Sequence, residues 1–367
     1  MNKRKPMATI VVFFVILWGF LLGFLLLPDA ALSYTERRKL EQLPKPTVES
    51  ILSTEYMKSL EQYAQDQFPL REELRAMKAQ LQYQVLRQGD SQGIYLANGS
   101  AIKMEATLKP EEVLFCADKI NDLYETYLQD MNVYCAVIPD KNYFAAEEFR
   151  HLSFDYGRMM TLFTQRLSQV QYVDLFGCLS LSDYYLSDAH WRQEALGPVR
   201  DTLAKAMGIQ DRLPDLESYT RQELYPFQGV YVGQSALPIE MDRLVYLTNP
   251  VLNQAIVQSA EQEGSLLSVY APEKLKGMDG YDVFLHGAQA IITMENPMAR
   301  TDKELILFRD SFGSSLAPLL LDAYKKVTLI DLRYVASQYL GDFVEFTDQD
   351  VLFLYSTGIV NSGRLLR

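Results

Sequence analysis

From Met7 to Leu27 the chain carries no charged residue, and a helix of about 20 apolar residues is what a hydrocarbon core of about 30 Å requires. A soluble core helix would keep a polar face, and this run has none. It reads as a transmembrane anchor over 7–28, after a tail over 1–6. Lys3, Arg4 and Lys5 lie in that tail, and the positive-inside tendency holds it in the cytoplasm and sends the remainder outward. The expected location is therefore the cell membrane, single-pass, with the main domain extracytoplasmic. A cleaved signal peptide is the competing reading, because Ala31-Leu32-Ser33 offers small residues at cleavage positions.

Of the 367 residues, those beyond the anchor suffice for one large α/β domain. A composition 48% hydrophobic and 22% charged belongs to a folded protein. A formal net charge of -12 argues against nucleic acid as a partner, since phosphate backbones are gripped by clustered Lys and Arg. Cys116, Cys135 and Cys178 are too few and too far apart for a disulfide framework or a zinc site, and read as small buried hydrophobes. No metal and no cofactor is expected, because no ligand cluster is present.

Residues 29–88 form a connector and juxtamembrane helices. Tyr34 to Pro46 is charged and proline-punctuated, whereas Ser50 to Arg87 has apolar residues three or four apart, divided into two helices by Pro69. Over 89–367, β-rich runs alternate with helical stretches, the pattern of a mostly parallel sheet covered on both faces. Strands are expected at Val133–Ile138, Val170–Leu175, Leu305–Phe308, Val327–Ile330 and Val351–Tyr355. Helices are expected at Glu111–Leu128, Tyr156–Leu167, Glu194–Met207 and Ser314–Tyr324. The stretch 213–296 reads as an irregular insertion carrying a few strands.

Sites in open α/β sheets collect at the carboxyl ends of strands. One expected strand runs Leu305-Ile306-Leu307-Phe308 and then meets Arg309-Asp310-Ser311-Phe312-Gly313. Such a turn can project Ser311 as a nucleophile beside backbone N–H groups, or Ser311 can merely cap the next helix. A serine nucleophile needs a base, and there are three histidines. His190 follows Asp188 by two, close enough in a turn for the carboxylate to fix the imidazole tautomer; here too helix capping by Asp188 is the plain alternative. His151, after a charged run, reads as solvated, and His286 as partly buried and structural.

The Asp188-Ala189-His190-Trp191 run, the Arg309-Asp310-Ser311-Phe312 turn and Asp331-Leu332-Arg333-Tyr334 resemble the DHHW family of bacterial envelope proteins. They are similar also to its relatives, the SGNH-hydrolase-like polysaccharide O-acetylation proteins AlgJ and AlgX. The resemblance takes in the Ser33–Pro44 connector, Asp66-Gln67-Phe68-Pro69-Leu70-Arg71, Ile138-Pro139-Asp140-Lys141 and Tyr281-Asp282-Val283-Phe284-Leu285, and so nearly the whole chain. It implies an SGNH-like three-layer α/β domain in which Asp-x-His precedes the serine. Ser311 would then be the nucleophile, His190 its base and Asp188 the orienting carboxylate, with the Ser311 N–H in the oxyanion hole. Acyl transfer to or from an envelope or secreted polysaccharide follows, with a multi-pass membrane acyltransferase as partner. Arg333, Trp191 and Lys141 are expected at the substrate, although Asp140 and Lys141 read rather as a solvated loop, Trp191 rather as packing beneath the His190 turn, and Arg333 equally as paired with Asp331 or a buried carboxylate.

The chain departs from the family at three places. Ala189 stands where the family name has a histidine, Phe312 where a tyrosine follows the serine, and Ala288 where an asparagine follows the glycine. If that asparagine completes the oxyanion hole, its loss is worth about 10²–10³ in rate. The departures motivate a second reading, a non-catalytic SGNH-like glycan-binding or assembly subunit.

Overall fold

The computed structural model describes residues 4–262 and 264–367, so part of the expected tail over 1–6 lies outside the described residues. The chain forms two compact units. The N-terminal one comprises residues up to Gln92 together with Val232–Pro238; the other comprises Gly93–Tyr231 and Ile239–Arg367.

In the N-terminal unit, α1 (Arg4–Leu26) contains the apolar run and is long and apolar enough to cross a membrane by length and composition. After a connector come α2 (Glu55–Asp66) and α3 (Arg71–Gln80), separated at Pro69 as expected. Proline lacks the N–H that would continue the helix.

The connector is held by ions rather than by apolar packing. Arg38 forks onto Asp66, with Nη1 to Oδ2 at 2.8 Å and Nη2 to Oδ1 at 2.6 Å, while the Glu41 N–H donates to Asp66 Oδ2 at 2.9 Å. Glu36 receives Arg38, Arg71 and Arg75. Residues Val232–Pro238 join this unit: Arg75 Nη2 donates to the Gly233 carbonyl at 2.9 Å and Ser91 Oγ to that of Ser235 at 2.7 Å. At Gly233 a Cβ would sit 1.6 Å from the Thr35 carbonyl oxygen, which only glycine permits.

The second unit is an α/β sandwich. In chain order its main elements are α4 (Pro110–Tyr127), β1 (Val133–Ile138), α5 (Lys141–Phe149), α6 (Tyr156–Arg166), β2 (Gln171–Asp174) and α7 (Gly197–Met207). An antiparallel ribbon follows, β3 (Thr220–Phe227) with β4 (Asp242–Thr248), then β5 (Ile256–Ser259), β6 (Ile291–Glu295), β7 (Glu304–Arg309), α8 (Gly313–Leu316), β8 (Lys326–Ile330) and β9 (Asp350–Ser356). The seven-stranded sheet has the order β2-β1-β9-β7-β8-β6-β5. Its first five strands are parallel, and β6 and β5 extend it antiparallel.

Strand alternation divides the core into two layers. Leu305 and Leu307 face one side with Leu352, Leu354, Val199 and Leu203; Ile306 and Phe308 face the other with Val351, Phe353, Ile120 and Phe163. The expected three-layer α/β architecture is thus present, with α7 on one face and α4 and α6 on the other.

Three local expectations change. The helix anticipated over Ser314–Tyr324 is one short turn of α8 followed by a 3₁₀ segment, Ala317–Ala323, whose first turn contains Pro318 and therefore one backbone donor fewer. His151 is not solvated but half-buried, its ring stacked on Tyr95 with centroids 3.7 Å apart. Cys116 and Cys135 are buried, whereas Cys178 is half-buried.

The forked bond to Arg38 holds the Asp66 carboxyl below its ordinary value, against the opposing effect of burial. A carboxylate with a depressed folded pKa stabilises fully above its ordinary value, and this is lost as pH falls. Asp66→Asn should weaken the N-terminal unit by about 2 kcal/mol, at the low end for a broken pair because Arg38 is partly exposed. Hydrogen exchange over residues 30–42 should show the loss near neutral pH and its progressive decline as pH drops below about 4.

Candidate active site

The serine turn is shaped by its own strand. β7 ends at Arg309, and the Asp310 carboxylate then accepts the Phe312 N–H at 3.0 Å and the Ser356 N–H from the end of β9 at 2.9 Å. A Cβ at Gly313 would come within 2.6 Å of Arg309 Cβ, so glycine lets the turn fold back onto the strand. Ser311 does not cap α8; the residue at that position is Phe312, without a side-chain bond.

Instead Ser311 Oγ lies 2.7 Å from His190 Nε2, and His190 Nδ1 lies 2.6 Å from Asp188 Oδ1. The structure therefore brings together the three side chains singled out in the sequence, although 121 residues separate His190 from Ser311. An ionised carboxylate only accepts, so the proton belongs on Nδ1 and Nε2 is left to accept from the serine hydroxyl. Asp188 is fully buried, and its other oxygen receives the Val230 N–H at 2.8 Å.

The loop that carries Asp188 and His190 has little regular structure. It closes through a bridge between Tyr184 and Trp191 and a bond from the Tyr185 N–H to the His190 carbonyl. Several of its other polar groups meet charged side chains, while the Leu186 and Ser187 carbonyls also accept the N–H groups of Ala101 and Tyr231. Asp242, at the start of β4, accepts the N–H groups of Leu186 and Ser187, each at 2.8 Å, and the Ser187 hydroxyl at 2.5 Å. The Lys141 ammonium, at the start of α5, donates to the carbonyls of Tyr185, Leu186 and Asp188 at 2.7, 3.2 and 3.0 Å. All three of its donors are used. Gly229 closes the loop from another side, its N–H on Ser187 Oγ at 2.8 Å, and a Cβ there would lie 2.2 Å from the Ser187 carbonyl oxygen.

The imidazole is clamped by rings. Tyr281 stacks on His190 with centroids 3.7 Å apart and planes 8° from parallel, and Phe312 lies against it at 4.7 Å. Tyr281 and Trp191 both donate to Ser315 Oγ at 2.9 Å. Phe312, the departure beside the serine, thus fills a packed position between His190 and Trp191.

Expected substrate contacts are corrected for two residues. Lys141 is 2% exposed and has no surface to offer a ligand, and it is no part of a solvated loop. Trp191 is fully buried, with its indole N–H engaged and no face open to a sugar. Arg333 remains accessible at 24% and is held by a fork onto the buried Asp331, with Nε to Oδ1 at 2.9 Å and Nη2 to Oδ2 at 2.6 Å. His286 is half-buried, its Nε2 3.1 Å from the Ser268 carbonyl, and Ala288 is exposed.

Burial lowers the Lys141 pKa to about 7, with Asp188 and Asp242 opposing the shift. Between that value and the ordinary 10.5 the unfolded chain carries the extra proton, so this group's contribution to stability rises with pH, is complete above 10.5 and is lost as pH falls through about 7. In urea denaturation, the stability of the parent relative to Lys141→Met should be greater at about pH 9.5 than at about pH 6.5.

No family model matches the chain, and no curated protein does. Among solved structures, a DHHW family protein from Eubacterium siraeum superposes with a TM-score of 0.62 at 17% identity, over 75% of this chain and 94% of the other. Bacillus cereus PatB1 superposes with TM-scores of 0.60 and 0.59 in two structures, one with a sulfonyl adduct, at 21% and 22% identity. These cover 75% of this chain and 98% and 97% of PatB1. The O-acetyltransferase domain of Pseudomonas putida AlgJ superposes more loosely, at 0.41 with 11% identity over 73% of this chain and 92% of its own. The first two likenesses establish a shared fold.

Proposed function

We propose that this chain performs extracytoplasmic acyl transfer, of acetyl groups to or from an envelope or secreted polysaccharide, through Ser311, His190 and Asp188. The observation that carries the proposal is the pair of short contacts from Ser311 Oγ to His190 Nε2 and from His190 Nδ1 to Asp188. The resemblance of its motifs to the DHHW and O-acetylation proteins supports the acetyl group and the polysaccharide.

In this reading His190 Nε2 takes the hydroxyl proton as Ser311 Oγ attacks the acyl carbonyl. Asp188 holds the imidazole and stabilises its cation. The tetrahedral oxyanion is received by the Ser311 backbone N–H. His190 then returns the proton to the departing oxygen, leaving an ester on Ser311. A sugar hydroxyl or a water, deprotonated by the same nitrogen, resolves that ester; the first acceptor makes a transferase and the second an esterase. Arg333, anchored by Asp331 yet accessible, is suited to hold an acyl or sugar oxygen.

The apolar helix α1 would keep the domain at the cell membrane, N-terminus inside, within reach of a multi-pass membrane acyltransferase. Retention of the helix is supported by the candidate cleavage stretch itself. The Ala31 carbonyl accepts the Leu40 N–H, and Leu32 and Ser33 pair with Lys39 and Arg38. An engaged stretch is a poor peptidase substrate.

Full-length protein in detergent, given an activated acetyl ester, should release acetate at least about 10³-fold faster than Ser311→Ala or His190→Ala. A sulfonyl fluoride should label Ser311 in the parent, as read by mass spectrometry. Variants as fast as the parent would remove the triad assignment. An unlabelled, inactive parent that still binds glycan would favour the assembly-subunit reading.

A further inference from the structure

The joint between α2 and α3 packs against α1 well inside its apolar run. Phe68 stacks on Phe20 with centroids 5.2 Å apart, and Tyr63 meets Phe24 edge-on at 5.7 Å. Pro69 lies over Gly23, where an added Cβ would come to 3.1 Å from its Cγ. Phe20 precedes the end of α1 by six residues, about 9 Å along a helix axis. Beside this contact, α1 and α2 enclose an open groove of about 450 Å³ lined by Phe13, Ile16, Leu17, Phe20, Ala64 and Phe68, all apolar.

We infer that the Phe68–Leu70 joint is seated in the outer leaflet of the membrane that α1 crosses, with a lipid acyl chain occupying the groove. The inference rests on the reading of α1 as an anchor. Side chains touching Phe20 and Gly23 share the medium that surrounds those residues, and interfacial elements bury about 5–10 Å into the headgroup and acyl boundary. The joint is chemically suited to that medium. Phe68 is 41% exposed and Leu70 61% exposed, the latter in the left-handed region with φ 58°.

Of its polar neighbours, Gln65 and Glu73 are exposed, whereas three others are engaged within the protein. Asp66 is spent on Arg38, Arg71 on Glu36, and the Gln67 amide on the carbonyls of Ala30 and Glu41. Non-helical backbone in hydrocarbon must have its polar groups satisfied, and part of that requirement is met within the protein. Pro69 brings no N–H, the Gln67 N–H bonds the Tyr63 carbonyl, and the Phe68 and Leu70 carbonyls accept the N–H groups of Arg71 and Leu74.

The test uses the full chain in vesicles of phosphatidylcholine and phosphatidylglycerol, with Cys178→Ala to remove the half-buried thiol and a nitroxide on Leu70→Cys. Flotation with the vesicles is read first. Loss of flotation would refute the anchor and this inference with it. In floating protein, oxygen should relax the Leu70 nitroxide several-fold more, relative to a soluble nickel chelate, than a nitroxide on Asp302→Cys, which is fully exposed. Equal ratios at the two positions would overturn the inference while leaving the anchor in place. They would place the joint in water. The unsubstituted chain provides a second reading: a phospholipid with a mid-chain diazirine should crosslink to the peptide spanning Ala64–Leu70, and adducts confined to α1 would be a refutation.

Discussion

Two opposite charges hold a loop that has almost no secondary structure to hold itself. Between Tyr185 and His190 the backbone turns N–H groups toward Asp242 and carbonyls toward Lys141. Left unpaired inside the protein, each such group would cost about 1–3 kcal/mol. Either ion alone would be expensive to bury. Set at the two sides of one loop they satisfy its dipoles, and Asp188 can be fully buried yet aimed at the imidazole. The position of His190 therefore depends on residues that never touch it.

The sheet does the rest. β7 is the middle strand of the seven, with β8 and β9 parallel on either side, so its carboxyl end opens between theirs. Asp310 ties the turn to Ser356 on β9, and Asp331 at the end of β8 forks Arg333. Gly313 meets the Arg309 side chain, and Gly229 the Ser187 backbone, too closely for a side chain of their own. Rigidity on the scale of the site follows from these close approaches together with the flat stack of Tyr281 on His190.

Much of this was legible in the sequence, and the part that was not shares a physical cause. Strands β1, β7, β8 and β9 announce themselves because both faces are buried and the runs are continuously apolar. Pro69 marks its joint through local stereochemistry, and Asp188 with His190 is a pair two residues apart. Asp242 carried no such signal, lying 55 residues from the Ser187 it binds, in a stretch without clear periodicity. Lys141 was visible but misread: beside Asp140, a lysine looks solvated until tertiary structure supplies three carbonyls. Trp191 read both as a sugar platform and as packing beneath the His190 turn, and the packing is what the structure shows, with Phe312 against its ring and its N–H on Ser315 Oγ. β5 at the edge and β6 beside it, short and antiparallel, leave little periodicity to read.

The excursion Val232–Pro238 has a consequence for the order in which this protein is made. The unit nearest the apolar helix is the first to leave the ribosome, yet it is incomplete without a peptide encoded some 140 residues after Gln92. Until that peptide emerges, Arg75 lacks the Gly233 carbonyl and Ser91 lacks that of Ser235. Vectorial synthesis thus cannot finish the front of the molecule before the Gly93–Tyr231 part of the sandwich has been delivered. A fragment cut at either side of Gln92 would separate groups that belong to one folding event.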